Sequence, residues 1–138
     1  MKKWFFLFVL GVLCAPFFAF SEEKTIIGEV IDVSCYVAQG AKGMEHKQCA
    51  IACLTAGEPA GILEDKTGKI YLVVTEDHKT NPRDKVMPFV AKMVEVTGDV
   101  NERSGVSTID IKDIREKTMN EMPMNEGGKT MPKKSMAH

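Results

Sequence analysis

Five short runs of alternating or β-branched residues, separated by polar turns, limit this chain to a small β architecture. Thr25 to Val33 (TIIGEVIDV) interleaves Glu29 and Asp32 with apolar residues, the period-two pattern of a strand with one face on a core. Residues 61–64 (GILE) and 69–74 (KIYLVV) flank Asp65-Lys66-Thr67-Gly68, a polar turn closed by glycine, and predict a β-hairpin. From Met93 to Val100, Val94, Val96 and Val100 share a face with Gly98, while Glu95, Thr97 and Asp99 share the other. A glycine inside such a run predicts a sharp bend or a bulge. After a turn at 101–105, Ile109 and Ile111 face in and Asp110 and Lys112 face out.

The second and third runs are separated from the first by a cysteine-bearing stretch, 32–53 (DVSCYVAQGAKGMEHKQCAIAC). From Glu45 onward it reads as a short helix, approached through Gly40 and Gly43 and stopped by Gly57 and Pro59. On that helix Ala50 and Leu54 lie beside the cysteines and pack onto the sheet. A charged loop, 76–84, follows the hairpin; its His78 reads as solvated. Residues 86–92 carry Pro88 and Phe89 and predict one helical turn, with Phe89 as a core plug. The order strand, insertion, hairpin, short helix, strand, strand predicts a mainly β fold. It is a small five-stranded OB-like barrel with a cysteine-bearing helical insertion after the first strand and a short helix before the fourth.

Both ends differ from this pattern. Residues 1–21 read as a signal peptide: Lys2 and Lys3 precede the apolar run Trp4 to Phe20, and Ala19-Phe20-Ser21 offers small residues for cleavage. Export to the periplasm or the medium follows, with membrane contact only through this segment if it stays uncleaved. Lipidation at Cys14 is disfavoured by Leu13, which is too large for the usual cleavage pattern. Residues 22–115 form one domain. Residues 116–138 lack an apolar face, contain Pro123, Pro132 and Gly127-Gly128, and read as a flexible tail. The tail holds Met119, Met122, Met124, Met131, Met136 and His138. Thioether sulfur favours copper(I) over zinc or magnesium. The tail is thus either a secondary metal catcher or a low-complexity linker.

Losing Lys2 and Lys3 leaves 16 basic against 19 acidic residues, a net charge of about −3. Trp4 and six of the seven Phe also leave with the signal, so only Tyr36, Tyr71 and Phe89 remain aromatic. A nucleic-acid surface needs a cationic groove and stacking platforms. This domain offers neither.

The chemistry concentrates in Cys35, His46, Cys49 and Cys53. His46 and Cys49 are three apart and Cys49 and Cys53 four apart, so on one helix they share a face, with Cys35 arriving from the end of the preceding strand. Three thiols and an imidazole suit a closed tetrahedral site for zinc or copper. The rival is a disulfide that staples the insertion and leaves one free thiol. A thiol oxidoreductase is a minor third reading, since C-x-x-C spacing and a βαβ order are lacking. No nucleophile elbow or phosphate-cradling glycine loop accompanies the cysteines.

The pattern Asp32-x-x-Cys35, Gly43, His46-x-x-Cys49-Ala50-x-x-Cys53, Gly57-x-Pro59-x-Gly61, followed by Tyr71 and Val96-Thr97-Gly98, resembles a family of small exported bacterial proteins with an OB-like barrel and no settled activity. The resemblance spans Thr25 to about Ile114 and implies the barrel rather than a function. Cys49-x-x-x-Cys53 with a histidine also resembles the copper site of Sco-type assembly proteins in ligand chemistry alone. The expected function is metal storage, transfer or site stabilisation through a Cys3His cluster, with a periplasmic metalloprotein as partner in transfer. The alternative is a disulfide-stapled, metal-free OB-like module that binds a periplasmic protein or glycan.

Overall fold

The computed structural model describes residues 21–118. The Met1 to Phe20 part of the expected signal and the methionines of the tail, Met119 to Met136, with His138, lie outside the described residues. Five strands close into a barrel: β1 (Glu22–Asp32), β2 (Ala60–Glu64), β3 (Ile70–Val74), β4 (Met93–Arg103) and β5 (Val106–Glu116). Neighbours run in the order β1, β2, β3, β5, β4 and back to β1, with β3 and β5 parallel and every other pair antiparallel. The mainly β, five-stranded OB-like reading stands.

Closure depends on β1, which belongs to both sides of the barrel. Its Glu22 to Glu29 pair with β4, and Gly28 to Asp32 pair with β2. The β4–β5 register slips between Thr97 and Gly98, where the glycine in the alternating run predicted a bulge. A Cβ at position 98 would collide with the Asp110 carbonyl, so the two strands cross where only hydrogen fits.

The inward residues of all five strands form one core. Ile26, Val30, Ile62, Tyr71, Val73, Val94, Val96, Ile109 and Ile111 are buried together. Tyr71, the largest fully buried side chain, satisfies its phenol with the Lys24 Nζ donor at 3.0 Å. Between β3 and β4 the chain makes two 3-10 turns, Pro82–Lys85 and Met87–Phe89. The expected plug is corrected here: Phe89 is half-buried against the core, and Val86 and Val90 fill it, at 0% and 1% exposure. These two valines, four residues apart, project together, and Phe89 falls to their side.

The insertion after β1 holds two helices rather than one. An additional helix, α1 (Val33–Gln39), begins immediately at the strand end; a 3-10 turn (Met44–His46) then leads into α2 (Lys47–Ala56). Cys35 therefore sits in the first turn of α1 and not on a strand end. Among the described residues no helix is long and apolar enough to cross a membrane.

Candidate metal centre

Asp32 organises the start of the site. It is the last residue of β1 and the N-cap of α1, where its Oδ1 accepts from the Ser34 N–H at 3.0 Å. A short polar side chain at this position satisfies one of the helix's unpaired donors. Gly40, at φ 70°, ends α1 after seven residues. This places Cys35 at the barrel end, directly above the carboxylate that caps its helix.

The second half of the site rides on α2. Ala50 and Leu54, at 3% and 1% exposure, dock this helix on the core as expected. Cys49 and Cys53 each precede one of them by a residue, so the docked face turns the two thiols sideways, toward α1. Gly57 adopts φ 118°, and its N–H donates back to the Cys53 and Leu54 carbonyls, which closes the helix. Hydrogen bonds hold the halves in register. Ser34 Oγ donates to Glu58, Val33 N–H donates to the Pro59 carbonyl at 3.0 Å, and Gly43 N–H donates to Glu29 on β1.

The result brings three thiols together. The sulfurs of Cys35, Cys49 and Cys53 lie within 4.8 Å of one another, and those of Cys35 and Cys53 are 4.0 Å apart. All three are free, with Cys49 exposed and the other two half-buried. A disulfide requires about 2.05 Å. An ion at about 2.3 Å from each sulfur separates them by about 3.8 Å in tetrahedral and about 4.0 Å in trigonal geometry. The Cys35–Cys53 spacing matches two ligands around an ion, and without one it is that of a thiol–thiol hydrogen bond.

His46 belongs to a different grouping. Its ring nitrogen lies within 4.8 Å of a carboxylate oxygen of Asp32 and the sulfur of Cys35, and the four predicted ligands do not fall into one such group among the described residues. The cause is local: His46 ends the 3-10 turn and stands at the N-cap of α2, outside the helical row that carries Cys49 and Cys53. Asp32 is the site residue that cysteine and histidine spacing alone does not reveal. Its signal was present: an acid on the buried face of a strand end, three residues before a cysteine.

Electrostatics follow from the same placement. The Asp32 carboxylate beside it, together with burial and the Cys53 thiol, pushes the Cys35 thiol up to about 12. Burial, chiefly, raises Cys53 as well. Both thiols are protonated at neutral pH without an ion. This is the reverse of an attacking thiolate, whose acidity is increased by positive surroundings. His78 is exposed, as expected, and takes no part in either grouping. Comparison with family models, curated proteins and solved structures found no match.

Proposed function

We propose that this is an exported protein that binds a soft transition metal, copper(I) or zinc, through Cys35, Cys49 and Cys53, and stores it or passes it to a periplasmic metalloprotein. The observation that carries this reading is the convergence of three free sulfurs from two helices within 4.8 Å of one another. Thiolates select copper(I) and zinc among the biological metals. The exposure of Cys49 favours exchange with a partner over a sealed structural site, because an incoming ligand reaches its sulfur first.

The tail fits a supporting role in this proposal. Lys117 N–H donates to the Met93 carbonyl at 2.8 Å, and Met93 pairs with Glu29 of β1, the residue that anchors Gly43 of the insertion. The chain thus leaves the barrel at the end that bears the thiols, two residues before Met119.

The test is elemental analysis with thiol counting on mature protein purified without added metal or chelator. One equivalent of copper or zinc, three thiols after denaturation in chelator, and loss of the ion in Cys49→Ser support the proposal. No ion and a single thiol would replace it with the disulfide-stapled module.

A further inference from the structure

We infer that Asp32, Cys35 and His46 form a second cation position, which shares the Cys35 sulfur with the thiol triad and takes a divalent ion of borderline softness such as zinc. The inference rests on the metal-binding reading of the triad and extends it from one ion to two.

Two buried atoms point to it. His46 Nε2 is buried and lacks a hydrogen-bond partner, and Asp32 Oδ2, also buried, meets only the Cys35 and Cys53 thiols, themselves candidate ligands. Buried polar atoms are nearly always paired, and each one left alone costs stability. Asp32 is also 1% exposed, and no ion pair among the described residues includes it. A buried carboxylate without a cation is expensive, whereas one on a metal is stabilised. Asp32 and His46 line one narrow cleft with Gly43 and Ala50, and their ligand atoms and the Cys35 sulfur lie within 4.8 Å of one another.

Ligand type and charge separate the two positions. The triad is all sulfur and suits a soft ion; oxygen, nitrogen and one sulfur suit zinc or cobalt(II). With both positions filled by divalent ions, four positive charges meet three thiolates and one carboxylate, and the imidazole stays neutral. The cluster is then charge-balanced, which burial favours. Whichever ion binds first would displace the Cys35 proton to solvent, and the Cys35 thiolate would then serve both positions.

The test is a titration of the reduced mature chain with cobalt(II), a spectroscopic stand-in for zinc, with stoichiometry by native mass spectrometry. Tail thioethers are poor ligands for either ion. Wild type is expected to bind two equivalents, and Asp32→Asn and His46→Gln one each; that remaining equivalent is lost when Cys49→Ser is added. Asn keeps the N-cap, so loss of the ion in Asp32→Asn is not loss of α1. Saturation at one equivalent, unchanged by Asp32→Asn, would overturn the second position and leave the triad standing. One equivalent lost alike in Asp32→Asn, His46→Gln and Cys49→Ser would mean a single mixed centre and also overturn it. No cobalt, zinc or copper(I) bound by wild type would remove the proposed function and this inference together.

Discussion

Replacing Asp32 by Asn should tighten copper(I) binding at the thiol triad. The carboxylate is the largest cause of the rise of the Cys35 thiol from its usual 9.0 to about 12. Copper(I) binds the thiolate, so at neutral pH every unit of that rise weakens the apparent affinity about tenfold. Burial and Cys53 also contribute to the rise, and the carboxylate's charge attracts copper(I) as well as the proton, so the expected gain is about tenfold. Asn still caps α1 through its side-chain oxygen, which keeps Cys35 in place. The assay is anaerobic competition against a chromophoric copper(I) chelator from pH 7 upward. In wild type the apparent affinity keeps climbing beyond pH 9 as Cys35 gives up its proton, while in Asp32→Asn it levels off earlier. Weaker copper(I) binding by Asp32→Asn at pH 7 would refute the electrostatic reasoning.

The metal-free protein should lose stability as pH rises. Cys35 has a folded-state value above its unfolded one, so its contribution is full below about pH 9 and disappears as pH climbs toward about 12; urea midpoints across that range will show it. Leu54→Ala removes a side chain that is 1% exposed beneath the site and should destabilise by about 2.7–5 kcal/mol, visible as a lower urea midpoint. Gly98→Ala forces a Cβ against the Asp110 carbonyl at the bulge; a thermal midpoint unchanged from wild type would contradict the crossing described here. Deleting residues 119–138 should leave the unfolding midpoint unchanged and reduce the copper(I) equivalents bound, while cobalt(II) stoichiometry stays the same.

The barrel was legible because its evidence is periodic. Val94, Val96, Ile109 and Ile111 announce their inward face in sequence, and Gly98 announces the bulge. The insertion was harder. Val33 prolongs the alternation of β1 and so masks the helix start, although Asp32 before it and Gly40 after it bracket α1 as cap residues do. The cysteine set was legible as chemistry, and its membership was altered by one detail of backbone geometry. Three residues separate His46 from Cys49, which implies one helical face only if the helix already runs through His46. It does not, since Met44–His46 is a 3-10 turn. Core filling between β3 and β4 was misassigned by size: Phe89 is the larger residue, but Val86 and Val90 have the inward spacing.

The two halves of the site are anchored unequally, and this bears on how an ion could be released. α2 is fixed by Ala50 and Leu54 in the core. α1 has no buried residue of its own and is held by its cap, Asp32, and by the bonds of Val33 and Ser34 to the segment after α2. An ion held by Cys35, Cys49 and Cys53 would therefore tie the loosely held helix to the firmly held one. Ligand exchange that started at the exposed Cys49 would leave the ion on Cys35 and Cys53, one sulfur from each helix, and release of Cys35 would disturb no core contact. Reprotonation of Cys35 beside Asp32 would then disfavour rebinding. No thiol belongs to the core, so the barrel is expected to keep its fold without the ion, as the proposed store or carrier requires and as a structural zinc site, whose folding depends on its metal, does not.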